Sequence, residues 1–188
     1  MKFGNENIEK IVFESTKNIL LKRGVKGWNM DDLAKECGMS KRTLYKIIGS
    51  KEDLLYKCYE ETFNSYTENS REFMKQDVDY YTLLDNLTDQ IANGIDEYVI
   101  ANSMSIRTEY PQISKMIDEK INIQHELIIA FIEKGCSKNL LRDHVNPKNI
   151  NHIVEALMNY NITNSKDKAD FEVKIKEQLK FLFEIIKK

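Results

Sequence analysis

Three observations predict an all-α fold. The chain of 188 residues holds only 7 Gly and 2 Pro, too few to punctuate many short strands. Its apolar residues, rich in Ile, Leu and Met, recur at three- and four-residue intervals over long stretches, the spacing of amphipathic helices. The breakers fall between those stretches, as at Arg23-Gly24 and Gly38. The length suits one large or two small domains and is ample for a buried core.

The elements follow in order. Ile8, Ile11, Val12, Ile19 and Leu20 mark one face of a first helix over 7–23, which Gly24 ends. Val25 and Trp28 plug the following loop onto the core. Asn29 is a natural N-cap, with Asp31 and Asp32 in the first turn, where the helix dipole favours negative charge. Met30, Leu33, Ala34 and Cys37 then share a face before Gly38 stops the helix. Met39 tucks into the turn, and Ser40 caps a helix that carries Leu44, Ile47 and Ile48 inward. Its other face shows Lys41, Arg42, Thr43, Tyr45 and Lys46, and Gly49 closes it. Ser50 and Asp53 form the capping signal of a long helix over 51–75. A polar turn, 75–80, leads to a helix over 81–102, with Met104 to Arg107 beyond it as a short helix or loop. Pro111 opens a helix that runs to Lys134 and that Gly135 closes. Pro147 opens another, 159–168 reads as a polar loop, and the last helix covers 169–186. That last helix carries Phe171, Ile175, Leu179, Leu182, Phe183 and Ile186 on one face, with Val173, Phe181 and Ile185 widening the apolar surface. A terminal helix apolar over more than one stripe needs two partners: its own core and, as the natural second, the same helix of another copy.

Two short helices joined by a tight glycine turn, the second with a basic polar face, make a helix-turn-helix pattern. The second helix must be short and exposed to enter a major groove, and its N-terminal end must offer donors to base edges and phosphates. The run D-D-L-A-x-x-x-G-M-S-K-R-T-L-Y-K followed by S-K-E-D-L-L resembles the TetR family of transcriptional repressors over residues 8–59. In three places this chain departs from the family pattern. Trp28 stands where a small Thr or Ser is common, Ile48 replaces the usual Phe, and Ile47 occupies a position that is often polar or aromatic. The resemblance implies a DNA-binding domain over 1–50 and a helical domain over 51–188 that binds an effector and dimerises. The expected DNA contacts are Asn29, Ser40, Lys41, Arg42, Thr43, Tyr45, Lys46 and Lys51. Lys41 and Arg42 are the candidates for bases or phosphates, and Thr43, Tyr45 and Lys51 for phosphates. Lys46 suits either role, while Lys51 also stands beside the free N–H groups of a helix start, a ready phosphate site.

Charge supports one docking face. The net charge is −2, but residues 1–60 hold 12 Lys and Arg against 9 Asp and Glu, whereas residues 61–188 hold 16 against 21. Cys37, Cys58 and Cys136 lie far apart and form no C-x-x-C, the usage of reduced cysteines in a cytoplasmic protein. The N-terminal decad has no apolar signal region, and no stretch is apolar and long enough to span a bilayer, so no membrane partner is expected.

No enzymatic constellation emerges. His125, His144 and His152 lack metal-site spacing, and the chain carries no nucleophile elbow, phosphate-cradling glycine loop or dinucleotide fingerprint. Neither a cofactor nor a metal is expected. A small-molecule pocket within the helical bundle is the better secondary expectation. Its candidates are Tyr66, Tyr98, Met104, Arg107, Tyr110 and His125, and Arg107 would suit an anionic effector if buried. Ile153, Leu157, Leu179, Leu182, Phe183 and Ile186 are the candidates for a homodimer interface. The sequence therefore predicts a homodimeric, ligand-responsive repressor on a palindromic operator. The alternative is a helical carrier of small molecules or a protein-binding adaptor without sequence-specific DNA binding.

Overall fold

A computed structural model describes residues 3–188, with side chains from residue 8 onward. The helices are α1 (Phe3–Arg23), α2 (Met30–Glu36), α3 (Lys41–Ile48), α4 (Lys51–Met74), α5 (Tyr80–Asn93), α6 (Glu97–Glu109), α7 (Pro111–Ser137), α8 (Pro147–Asn164) and α9 (Lys168–Ile186). Among the described residues no strand forms, and one isolated antiparallel bridge pairs Leu141 with Lys187. No helix among them is long and apolar enough to cross a membrane.

The chain divides into two compact units, residues 1–62 with 97–117, and residues 63–96 with 118–188. In the first, α1 packs on α2, α3 and α6. Val12, Ile19, Leu20, Leu33, Leu44, Leu54 and Leu55 supply its buried core, and the burial of such side chains is its main source of stability. Asn102 ties α6 to α1: its buried amide donates to the carbonyl of Leu20 at 3.3 Å and to that of Tyr98 at 2.9 Å. In the second unit α9 packs on α5 and α8. Leu83, Leu84, Leu87 and Ile91 of α5 are buried there, as are Phe171, Ile175, Leu179, Leu182 and Phe183 of α9. Asn161 links α8 to α9 through a 2.7 Å hydrogen bond to Gln178.

Three element boundaries differ from those predicted. The expected helix over 81–102 is two helices, because Gly94-Ile95-Asp96 interrupts it and α6 restarts at Glu97. Met104 and Arg107 accordingly lie within α6. Gly135 does not close α7, which continues to Ser137. A Cβ there would meet the Tyr80 hydroxyl at 2.2 Å, so this glycine admits a close neighbour instead of ending a helix. Tyr80 stacks on Phe131 with centroids 4.9 Å apart. The expected loop over 159–168 is mostly helix, since α8 runs to Asn164. Thr163 and Asn164 there return their side chains to the carbonyls of Asn159 and Tyr160, a local bond that a polar helix end accommodates.

Candidate nucleic-acid interface

The interface begins with capping. The Asn29 Oδ1 accepts from the N–H groups of Asp31 and Asp32 at 2.8 and 3.1 Å, and Asp32 reaches back to the Asn29 N–H at 2.9 Å. This reciprocal box fixes the start of α2. Its end is a Schellman turn: the Met39 N–H bonds the Ala34 carbonyl and the Gly38 N–H that of Lys35. Gly38 sits at φ 65°, where any side chain would be strained. Ser40 then caps α3 by accepting from the Thr43 N–H at 3.1 Å, and the hydroxyls of Ser40 and Thr43 meet at 2.8 Å. The N–H groups of Lys41 and Arg42, in the first turn, have no partner within the helix. Gly49 ends α3, and Ser50 with Asp53 caps α4 through bonds of 2.8 and 3.1 Å. The Ser50 hydroxyl, donating to Asp53 Oδ2 at 2.7 Å, and the Ser50 N–H hold the Asp53 carboxyl below its usual range.

Leu44 and Ile48 anchor α3 in the core, and Ile47 is half-buried beside them. The opposite side is open: Ser40, Lys41, Arg42, Thr43, Tyr45 and Lys46 are all exposed. Arg42 and Lys46 form no hydrogen bond or ion pair with any described residue. Lys41 differs. Its ammonium lies 2.7 Å from Asp31 of α2 and 6.0 Å from the centre of the Tyr45 ring. The hydrogen bond to Asp31 pushes the Lys41 pKa up. The motif therefore gathers seven of the eight expected contacts, Asn29 included, although the Asn29 carbonyl oxygen is committed to capping.

Lys51 is the exception, because its ammonium is engaged within the chain. It turns inward, donating to the carbonyls of Val25 and Trp28 at 2.7 Å each, with its ammonium 4.1 Å from the centre of the Trp28 ring. Burial there lowers its pKa. The cation closes the loop between α1 and α2, and Trp28, only 4 % exposed, is the plate it rests on. The departure from a small residue at position 28 and the inward lysine are thus one arrangement.

The expected effector residues do not gather within either unit. Tyr98 belongs to the core of the first, where its hydroxyl meets that of Thr62 at 2.8 Å and its ring lies edge-on to Tyr59 at 5.2 Å. In the same unit Met104 and Arg107 are exposed and Tyr110 is half-buried. Exposure removes the reason for assigning Arg107 to a buried anion. Tyr66 and His125 lie in the second unit. Burial pushes the Tyr66 hydroxyl up to about 12. The Nε2 of His125 is 4.0 Å from Glu155. Sequence reasoning missed the buried polar group beside Tyr66. Thr67, Ser70 and Gln124 are all at least nine-tenths buried, and Gln124 donates to the Thr67 hydroxyl at 2.9 Å. A signal for it existed: Thr67 and Ser70 continue the stripe of Phe63 and Phe73 at core spacing.

The interface candidates separate by burial. Leu179, Leu182, Phe183 and Ile186 are buried in the core of this chain. Ile153 is exposed and Leu157 half-buried on α8. Exposed large apolar side chains also include Tyr160 on α8 and Val173, Phe181 and Ile185 on α9, with Phe181 69 % exposed. No group of three or more His, Cys, Asp or Glu converges as a metal site among the described residues.

Residues 12–58 match the family model described as bacterial regulatory proteins, tetR family. Solved structures share the fold over nearly the whole chain. A TetR transcription regulator from Haloarcula marismortui ATCC 43049 is 13% identical, with 97% of this chain and 100% of that one covered at a TM-score of 0.81. A TetR-family transcriptional regulator from Cytophaga hutchinsonii is 16% identical, with coverage of 98% and 96% and a TM-score of 0.77. The transcriptional regulator FadR from Bacillus subtilis, solved with stearoyl-CoA, is 13% identical, with coverage of 90% and 96% and a TM-score of 0.65. No curated protein matches the sequence.

Proposed function

We propose that the chain, whose residues 12–58 match the tetR-family model, is a DNA-binding transcriptional repressor, released from or held on its operator by a small molecule, with no enzymatic activity of its own. One observation carries the reading. The polar side of α3 is exposed from Ser40 to Lys46, while Leu44 and Ile48 fix the helix from beneath. A short helix held this way has the dimensions to enter a major groove. Lys41 and Arg42 contact bases or phosphates, Thr43 and Tyr45 hold phosphates, and Lys46 serves either. In this reading residues 1–50 bind DNA, and residues 51–188 bind the effector and dimerise.

Dimerisation is supported by the exposed apolar residues of α8 and α9, namely Ile153, Tyr160, Val173, Phe181 and Ile185. Two adjacent helices that leave such side chains in water suit a second copy of the same face. A two-fold dimer would read a palindromic operator, with half-sites one helical turn apart or a multiple of it. The effector is an unidentified small molecule of the second unit, where Tyr66, Thr67, Ser70 and Gln124 offer polar anchors in an apolar interior. A duplex DNA partner makes the cytoplasm the site of action.

The test is selection of bound sequences from random duplex DNA, followed by titration of the winner against salt. Enrichment of a palindrome, with affinity falling linearly in log salt, is the expected result. Recovery of no sequence and no salt-dependent duplex binding would overturn the reading in favour of a carrier or adaptor.

A further inference from the structure

Of the three acidic residues on α2, two face the cations of α1: Glu36 lies 3.7 Å from Lys22, and Asp32 lies 3.7 Å from Arg23. Asp31 alone turns to the reading helix and holds Lys41 at 2.7 Å, with both side chains about half exposed, at 51 and 55 %. The cap of α2 does not need this carboxylate, because Asn29 and Asp32 complete the box and Asp31 contributes only its N–H.

We infer that Asp31 is a specificity-determining residue, an internal anion that occupies Lys41 in the free protein and must be exchanged for an acceptor on DNA. The inference rests on the DNA-binding reading above. Two cations of α3, Arg42 and Lys46, stand open to any phosphate, whereas Lys41 is already matched. Non-specific affinity follows the number of phosphates neutralised, so a lysine shared with a carboxylate contributes less to it than an open one. A pair this exposed is weak and screened by salt. A site that offers Lys41 well-placed acceptors, such as the O6 and N7 of guanine, therefore displaces Asp31 readily. Random duplex, which offers a phosphate at no fixed place, displaces it less. Asp31 thereby widens the gap between the operator and bulk DNA.

The test is a double-mutant cycle on the full chain with Asp31→Asn and Lys41→Gln, read on the selected operator and on an unrelated duplex. Asp31→Asn is expected to tighten binding to the unrelated duplex about two- to tenfold at low salt. The operator should gain less, so the ratio between the two falls. In the Lys41→Gln background most of that gain should vanish. Equal tightening with and without Lys41 would reduce Asp31 to bulk charge and overturn the inference. So would an unchanged ratio. Asp31→Ser, which also suits a helix first turn, gives the same reading where the Asn variant does not fold. Failure of the parent chain to bind any duplex would instead remove the DNA-binding reading itself, a result distinct from a cycle without coupling.

Discussion

Helices α3 and α9 both bury one side and show the other to solvent, yet the two exposed sides differ in kind. On α3 the exposed side is charged and hydroxylated, and the two buried anchors, Leu44 and Ile48, lie on a single narrow stripe. On α9 the exposed side carries Val173, Phe181 and Ile185, while six residues fill the core stripe. A surface that keeps cations in water suits a polyanion, whereas one that keeps phenylalanine and isoleucine in water suits another apolar surface. The contrast also explains what could be read in advance. A helix with one apolar stripe declares which way it faces. A helix with two stripes does not, and hydrophobicity alone names the stripe of Phe183, not that of Phe181, for the interface.

The largest test of this contrast swaps the two phenylalanines. Phe183→Ala should lower unfolding free energy by about 3–5 kcal/mol, the usual range for emptying a buried aromatic site, as read by urea denaturation. Phe181→Ser should instead preserve helicity and shift sedimentation from dimer to monomer. The same sedimentation for both variants would place the second copy elsewhere.

Two lysines sharpen the α3 side. Lys51→Met should destabilise the fold by about 1–3 kcal/mol through loss of the ring contact and two carbonyl bonds, while leaving the salt slope of DNA binding intact. Lys46→Ala should do the reverse, leaving the melting temperature nearly unchanged and flattening that slope by about 0.9 if it neutralises one phosphate. A flattened slope in the Lys51 variant would restore it as a phosphate ligand. Arg42→Ala should weaken operator binding by about 1–3 kcal/mol if it reads a base, and relax sequence preference at one position.

The smallest effect concerns Cys58, whose thiol is pushed up to about 12 by burial. Its folded pKa exceeds the ordinary value of 9.0, so the folded chain binds more protons than the unfolded one between those limits. The stability it contributes is whole below pH 9 and is lost as pH rises towards 12. A thiol reagent at neutral pH should modify the half-buried Cys37 and Cys136 first and reach Cys58 only on unfolding.

The fold was legible where local chemistry is strong. Asn29, Gly38, Ser40, Gly49 and the Ser50–Asp53 pair are short-range signals, and each acts as its residue type predicts. The inward turn of Lys51 was hidden because its partners, the carbonyls of Val25 and Trp28, are more than twenty residues away. Gly135 misled for the same reason: its neighbour Tyr80 is remote in sequence, and only tertiary contact distinguishes a terminator from a gap filled by another side chain. The buried polar group of Thr67, Ser70 and Gln124 was half legible, from the α4 side alone.

The bracket made by Lys51 has a mechanical consequence. Through it the first turn of α4 grips the loop that enters α2, while the Ser50–Asp53 cap fixes the start of α4 directly after the Gly49 that ends α3. A pull on that first turn is thus shared between the approach to the turn motif and its exit. Helix α3 thus lies between two fixed points, the loop held by Lys51 and the cap that opens α4.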